Sequence, residues 1–211
     1  MKILIAVPTY ESIMPDTFKS IYDMDKGGHE CVFEFVRGYD CARARNLIAQ
    51  RAQKLGVDYV LMVDNDMIIP ADALTNLLED AQDVCLGYAA HRNTENEYTG
   101  LMNLFKLGEY NYNRHFSFQD VEDLKNKGMK KFVVHGGGMA CALIRTSVFD
   151  RIKFPWFKWE NYKTGFCLSE DLYFCEECRK AKIPVYADTR VSCGHMFRRF
   201  QYPEEIKGGK E

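Results

Sequence analysis

The sequence lacks an excess of charge of either sign and has no long apolar run. Its 211 residues contain 28 Lys and Arg against 30 Asp and Glu, for a net charge of -2. This near balance gives no support for nucleic acid as the main partner. No stretch approaches the roughly 20 apolar residues of a membrane-spanning helix. The apolar run 3–7 is too short for a secretory signal, and Pro8 ends it. We therefore expect no transmembrane segment and a cytoplasmic protein, either free or peripheral to the inner face of a membrane.

Two familiar phosphate-binding motifs are missing as well. The glycines at 136–138 follow neither the spacing of a dinucleotide-binding fingerprint nor that of a P-loop. The sequence has no internal repeat and no low-complexity segment. Its 46% hydrophobic and 27% charged residues are ordinary for a globular protein. The length predicts one domain over residues 1–200, followed by a polar tail at 201–211.

The eight cysteines are numerous for a chain without a signal peptide, and we expect them to be reduced thiols. The pair Cys175 and Cys178 has the spacing of a zinc site that Cys167 and Cys193 would complete. Against zinc, the pair lies inside a helical pattern and no second close pair exists. Structural zinc stays an alternative.

Strand and helix patterns alternate along the first half of the chain. Apolar runs predict strands, and capped amphipathic segments between them predict helices. This order is typical of an α/β fold with a mixed, mostly parallel sheet flanked by helices. The stretch 91–120 has little periodicity, so we expect a loop region with short strands and a functional or mobile role. The predicted strands are 2–7, 30–36, 59–63, 84–89, 131–134, 139–145 and 184–188. The main predicted helices are 15–24, 42–55, 71–81, 147–152 and 170–181, and a helical turn is predicted at 121–127.

The most informative stretch is 59–70, YVLMVDNDMIIP, in which a fully apolar strand runs into Asp64 and Asp66. Charges at the end of a buried strand are costly unless something pairs with them. Ligands of open α/β sheets bind at the carboxyl ends of the strands. Two carboxylates one residue apart at this place suit a hard divalent cation. The alternative is an ordinary Asp-Asn-Asp turn.

Glu170, Asp171 and His195 also lie at the ends of predicted elements. Carboxylates in the first turn of a helix have a structural explanation, since they satisfy free N–H groups and the helix dipole. A lone histidine is more often a packing or surface residue than a ligand. These residues alone do not decide between structure and chemistry.

Taken in order, the motifs resemble glycosyltransferase family 2, the inverting nucleotide-sugar transferases of the GT-A fold. The resemblance spans about residues 2–198. The motifs are Pro8-Thr9-Tyr10 after the first strand, Ala42-Arg43-Ala44-Arg45-Asn46 on a helix, Val63-Asp64-Asn65-Asp66-Met67, Gly137 to Arg145, and Ser169-Glu170-Asp171 with Cys193-Gly194-His195 downstream.

The resemblance implies a Mn²⁺ or Mg²⁺ ion that bridges the diphosphate of a UDP- or GDP-linked sugar. The implied metal residues are Asp64, Asp66 and His195. Asp66 would be the closer ligand, and Asp64 would address the ribose or bind the ion through water. An imidazole among oxygen ligands favours manganese. The ion would stabilise the diphosphate leaving group.

The resemblance also implies that Asp171 is the general base that takes a proton from the acceptor hydroxyl, with Glu170 orienting the acceptor or supporting Asp171. The acceptor would be a glycan, a lipid-linked sugar or a protein hydroxyl, and Trp156 and Trp159 are candidates to pack against it. The residues that the resemblance places on the nucleotide sugar are Pro8, Thr9, Tyr10, Glu11, Asp40, Arg43, Arg45, Asp64, Asn65, Gly137 and Gly138.

Several of these assignments have a structural alternative. Asp40 is also a helix N-cap, and the two arginines could form a solvated helix face. The glycines could form a tight turn, and the tryptophans a core cluster.

Two other functions also stay open. A sugar nucleotidyltransferase usually has a Gly-rich basic loop after the first strand, which Pro8 to Glu11 is not. A non-catalytic sugar-nucleotide or glycan-binding module is opposed by Asp66, Asp171 and His195.

Overall fold

The structure is a computed structural model that describes residues 1–79, 81–92, 98–106, 114–163, 165 and 167–197. The predicted polar tail, 201–211, lies outside the described residues. No helix within these ranges is long and apolar enough to cross a membrane. In chain order the elements are β1 (Lys2–Thr9), α1 (Pro15–Asp23), β2 (Glu30–Arg37), α2 (Cys41–Leu55), β3 (Tyr59–Val63), β4 (Met67–Ile68), α3 (Ala73–Glu79), β5 (Val84–Arg92), β6 (Tyr98–Phe105), β7 (His115–Ser117), α4 (Phe118–Asn126), β8 (Lys131–Val134), β9 (Gly136–Gly137), β10 (Cys141–Arg145), α5 (Val148–Arg151), β11 (Glu160–Asn161), β12 (Cys167–Leu168), α6 (Glu170–Lys180) and β13 (Val185–His195).

The central sheet has the strand order β2-β1-β3-β10-β5-β13-β4. β1 is parallel to both β2 and β3, and β5 is parallel to β13. β10 lies antiparallel between β3 and β5, so these two strands point the same way without being neighbours. The predicted α/β class with a mixed, mostly parallel sheet flanked by helices is confirmed. The carboxyl ends of β1, β3 and β5 meet at one edge of the sheet.

The core has two layers, one on each face of the sheet. Side chains alternate along a strand, so Val60 and Met62 of β3 face one layer while Leu61 and Val63 face the other. Helices α2 and α6 cover the first face with residues such as Ile48 and Phe174, and helices α1 and α3 cover the second. All five residues of β3 are buried, as its unbroken apolar sequence predicts.

Local signals set the ends of α2. The side chain of Asp40 accepts a hydrogen bond from the backbone N–H of Arg43, and Gly56 ends the helix in the left-handed conformation with φ 63°. Both features follow from the capping preferences of Asp and Gly. The N-cap alternative for Asp40 is therefore confirmed, whereas its contact with a nucleotide stays a prediction.

Two predicted boundaries were wrong. Helix α4 begins at Phe118 rather than near Val121, because Ser117 and Asp120 form a reciprocal capping box. Strand β13 does not stop near residue 188 but continues to His195, with a register irregularity between Ala187 and Ser192. Its last residues pair with β4, which the sequence did not predict.

The zinc alternative finds no support in the fold. Cys175 and Cys178 are fully buried on the core side of α6, whereas Cys167 is exposed. Burial raises the pKa of the Cys175 thiol to about 12, which opposes the thiolate form that binds zinc.

Candidate functional site

Asp64 and Asp66 stand at the end of β3, in a turn that the rest of the sheet edge holds in place. The side-chain amide of Asn65 donates to the backbone oxygen of Ser12 at 2.9 Å, and the Asn65 carbonyl accepts from the N–H of Met14 at 3.1 Å. The residues therefore do form a turn, as the structural alternative proposed. The same contacts fix both carboxylates relative to the loop after β1, which follows Thr9.

His195 faces Asp66 across the β4–β13 pairing. In this register His195 lies opposite Met67, and the N–H of Met196 donates to the carbonyl of Asp66 at 3.0 Å. Gly194 lets the strands approach, since a Cβ there would lie 3.3 Å from the Cβ of Ile68. The Nε2 atom of His195 is 3.6 Å from Oδ2 of Asp66.

The tautomer of His195 follows from its other nitrogen. Nδ1 lies 2.8 Å from the carbonyl oxygen of Ala90, which only accepts hydrogen bonds, so Nδ1 carries the proton. Nε2 then presents a lone pair toward Asp66. An imidazole held in this way by a backbone carbonyl is the arrangement typical of histidine metal ligands.

Arg45 lies beneath the carboxylates, where its side chain is only 3% exposed. Nη2 donates to Oδ1 of Asp64 at 2.6 Å, Nη1 donates to Glu170, and Nε has no hydrogen-bond partner in the described part of the chain. Burial alone would lower the pKa of Arg45, but the carboxylates of Asp64 and Glu170 raise it. The alternative of a solvated helix face is therefore wrong for Arg45, and its contact with a nucleotide stays a prediction.

The two carboxyl groups bound by Arg45 are costly to ionise. Burial raises the pKa of Asp64 above its usual range, although Arg45 partly opposes the shift. The pKa of Glu170, which is 5% exposed, is raised for the same reason. A bound proton, or a cation in addition to Arg45, would therefore stabilise these two carboxyl groups.

A cavity of about 370 Å³ opens above these residues at the carboxyl ends of the strands. It brings together side chains from β1, β3, β13 and α6, as the sequence predicts for residues that follow strand ends. Asp171 is at the start of α6, where its Oδ1 accepts from the N–H of Leu172 at 2.8 Å. The predicted site residues that line the cavity are Pro8, Asp64, Asn65, Asp66, Gly138, Asp171 and His195.

The cavity residues that were not predicted include Cys41, His91 and Asn103. His91 lies near the end of β5 and Asn103 belongs to β6, so both lie in the stretch 91–120, for which the sequence predicted an irregular region with a functional or mobile role. The low periodicity of this stretch was the one sequence feature that pointed to these two residues. The pKa of His91 is lowered by burial, with smaller contributions from the imidazoles of His115 and His195.

The other predicted nucleotide-binding residues take varied positions. Thr9 is buried and donates to Ser12, whereas Tyr10 is 70% exposed and Glu11 is exposed. Arg43 is also exposed and stacks its guanidinium 4.4 Å over the ring of Tyr39. Gly137 is buried, and a Cβ there would lie 2.7 Å from Leu86, so packing explains this glycine. Their contacts with a nucleotide sugar stay predictions.

The two tryptophans differ. Trp156 is 6% exposed, its Nε1 donates to the carbonyl of Phe149 at 2.9 Å, and its ring packs on that of Phe149. We correct its assignment to the acceptor, because a ring buried in the core has no free face for a sugar. Trp159 is 53% exposed and lines a second cavity of about 390 Å³ with Arg43 and Lys158. Its acceptor role stays a prediction.

A divalent ion at this edge of the sheet would depend on the donor groups that the protein supplies. Among the described residues, no three His, Cys, Asp or Glu side chains are grouped so that they could hold a metal ion by themselves. Asp66 and His195 supply one carboxylate and one imidazole, while Asp64 already binds Arg45. Mg²⁺ sites commonly combine one or two carboxylates with substrate phosphates. The donor set fits an ion shared with a diphosphate and does not fit an ion held by the protein alone.

No family model matches this sequence, and no curated protein matches it. Solved structures do resemble it. The crystal structure of A197 from STIV is 16% identical, with a TM-score of 0.59 over 94% of this chain and 87% of that one. GalNAc-T7, crystallised with UDP, GalNAc and Mn²⁺, is 11% identical, with a TM-score of 0.65 over 99% of this chain. This chain spans 46% of the GalNAc-T7 chain.

A mannose-1-phosphate geranyltransferase from Thermus thermophilus is 17% identical, with a TM-score of 0.38 over 72% of this chain and 60% of that one, which is too low to support an argument. Membership of family 2 stays a prediction. At these identities the likeness shows the fold alone, which is a GT-A-like α/β architecture.

Proposed function

We propose that this protein is a metal-dependent, inverting glycosyltransferase that moves a sugar from a nucleoside diphosphate to a hydroxyl acceptor. One observation carries the proposal. Nδ1 of His195 donates its proton to the carbonyl of Ala90, which leaves Nε2 unprotonated and 3.6 Å from Oδ2 of Asp66. Both residues line a cavity that Asp64 and Asp171 also line. The fold adds support, since GT-A-like structures include GalNAc-T7 with UDP, GalNAc and Mn²⁺.

Asp66 and His195 would hold a divalent cation together with the diphosphate of a UDP- or GDP-linked sugar. Such an ion supplies positive charge to the leaving diphosphate. Asp64 would stay on Arg45 and contribute through water or through the ribose. The loop after β1, with Tyr10 and Glu11 exposed beside the cavity residue Pro8, would bind the nucleoside.

Asp171 would act as the general base. It lines the cavity, and its Oδ1 is oriented by the N–H of Leu172 and by the hydroxyl of Ser169. A base in this place takes the proton of the acceptor hydroxyl while the oxygen attacks the anomeric carbon, on the side opposite the diphosphate. Glu170 is bound to Arg45 and buried, so it supports the first turn of α6 and does not reach the acceptor.

The test is calorimetric titration of the protein with UDP and GDP, with and without Mn²⁺. We expect the better nucleotide to bind at least tenfold more tightly with Mn²⁺, and Asp66→Ala to abolish that difference. Asp16→Ala, which changes an exposed carboxylate on α1, is the matched control and should behave as wild type. Binding of both nucleotides that ignores Mn²⁺ would refute the site assignment.

A second variant tests the chemistry separately from binding. Asp171→Asn should bind the nucleotide sugar as wild type does but lose transfer by about 10²-fold or more, the usual contribution of a general base. Transfer and hydrolysis are measured on a panel of sugar nucleotides. Retained turnover by Asp171→Asn would remove Asp171 as the base.

A further inference from the structure

Two polar side chains at one end of the cavity have hydrogen-bonding capacity that the described residues leave unused. Nδ1 of His91 is buried and has no hydrogen-bond partner within the described ranges. Oδ1 of Asn103 accepts a hydrogen bond from the N–H of Ala89 at 2.8 Å. The two N–H donors on Nδ2 of Asn103 have no hydrogen-bond acceptor among the described residues. An unpaired buried polar group costs free energy unless a ligand satisfies it. Both residues line the cavity.

Both side chains are held in one orientation before any ligand arrives. The N–H of Ala89 fixes which end of the Asn103 amide is the oxygen, and the carbonyl of Asn103 accepts from the N–H of Gly138 at 2.9 Å. The His91 ring packs against His115, with centroids 4.7 Å apart. His115 is itself held by Phe105, with ring centroids 4.2 Å apart.

The strand order separates His91 and Asn103 from Pro8, near which the nucleoside would bind. From β1, which carries Pro8, the sheet continues through β3 and β10 to β5, which carries His91. Three strand spacings amount to about 14 Å. Asp64 and Asp66, at the end of β3, lie between the two ends. A ligand with its nucleoside near Pro8 and its diphosphate at Asp66 directs its remaining group toward His91 and Asn103.

We propose that His91 and Asn103 bind hydroxyl groups of the sugar that is transferred. This inference rests on the proposed glycosyltransferase function and names the part of the donor that these residues read. A sugar hydroxyl both donates and accepts hydrogen bonds, which matches an amide donor beside an imidazole. Asp171 lines the same cavity, so the sugar lies within reach of the residue proposed as the base.

Gly138 leaves the space that this subsite needs. A Cβ at position 138 would lie 3.0 Å from Nδ2 of Asn103 and 3.5 Å from Oδ2 of Asp171. The glycine therefore keeps a side chain out of the gap between the amide donors and the carboxylate. This differs from Gly137, where a Cβ would press on Leu86 and Leu104 in the core.

The experiment compares a nucleoside diphosphate with its own sugar nucleotides. The probes are UDP, UDP-glucose, UDP-N-acetylglucosamine, GDP and GDP-mannose, each titrated calorimetrically with Mn²⁺. The variants are Asn103→Ala, which removes the amide, and His91→Phe, which keeps a ring against His115 but removes its nitrogens. Asn126→Ala at the end of α4 and His29→Ala before β2 are matched controls outside the cavity.

We expect each cavity variant to weaken binding of the preferred sugar nucleotide by about three- to tenfold, the usual effect of one hydrogen bond. Affinity for the matching nucleoside diphosphate should change less than twofold, and the controls should match wild type in both. Circular dichroism checks folding, and His91→Phe carries the test alone if Asn103→Ala does not fold.

Three other results would overturn the inference. The two affinities could fall in parallel, which would place the residues on the diphosphate. Neither could fall while the KM of the acceptor rises, which would place them on the acceptor. The affinities for the sugar nucleotide and for the nucleoside diphosphate, and the acceptor KM, could all stay at their wild-type values, which would show that the residues do not contact a substrate. Failure of the proposed function itself has a separate signature, because wild-type protein would then bind no probe with Mn²⁺.

Discussion

Arg45 donates a hydrogen bond from Nη2 to Oδ1 of Asp64 at 2.6 Å, and its Nη1 binds Glu170. One buried guanidinium thus joins the turn after β3 to the first turn of α6. Asp66 and Asp171, the proposed ion ligand and the proposed base, each follow one of these two partners in sequence. The relative position of the two functional groups therefore depends on a side chain that does not line the cavity.

Replacing this guanidinium should destabilise the fold. Arg45→Met leaves Asp64 and Glu170 buried without their cation, and breaking a buried ion pair in this way costs about 3–5 kcal/mol. Arg43→Met, on an exposed side chain of the same helix, should change the free energy of unfolding by less than about 0.5 kcal/mol. Urea unfolding of both variants measures the difference. Equal stability of the two variants would contradict the role given to Arg45.

Glu170 should give stability an unusual dependence on pH. Burial raises the pKa of Glu170 in the folded state above its ordinary value of 4.5. The folded state then holds this proton more tightly than the unfolded state, so the contribution is fully present below 4.5 and is lost as pH rises through the raised pKa. Glu170→Gln, which stays uncharged, should therefore gain stability relative to wild type as pH rises over this window.

The measurement is the free energy of unfolding in urea between about pH 2 and 8, and Glu79→Gln is the control of opposite sign. Hydrogen bonds from Lys130 and Arg190 lower the pKa of Glu79 to about 2. Its contribution is present above the ordinary carboxyl range and is lost as pH falls through the lowered pKa. Parallel pH profiles for the two variants would show that the Glu170 pKa is not raised.

Substitution of Trp156 should lower stability, whereas substitution of Trp159 should affect binding of the acceptor. Trp156→Ala removes a buried ring and should lower the free energy of unfolding by about 3–5 kcal/mol. Trp159→Ala changes an exposed side chain and should cost far less stability. If Trp159 packs on the acceptor sugar, its loss should raise the acceptor KM and leave nucleotide affinity unchanged. An acceptor KM that does not respond to Trp159→Ala would end its role as an acceptor residue.

Much of the fold could be predicted from the sequence because its signals are local. The apolar run at 59–63 needs burial on both faces, and Asp40 and Gly56 cap α2 through contacts with their own helix. Chain direction alone then puts Asp64 and Asp66 at the carboxyl edge of the sheet. Irregular segments gave weaker signals, and the start of α4 was misplaced because its capping box was not recognised.

The sequence by itself determined the α/β class, the strand that ends in Asp64 and Asp66, and the identities of Asp171 and His195 as candidates. Only the tertiary structure decided that β10 inserts antiparallel between β3 and β5, that Arg45 is buried between two carboxylates, and that His91 and Asn103 share the cavity. It also decided that β13 continues to pair with β4, which sets His195 against Asp66. The physical reason is that strand register and the pairing of buried charges depend on contacts between residues distant in sequence, which no local period or capping preference encodes.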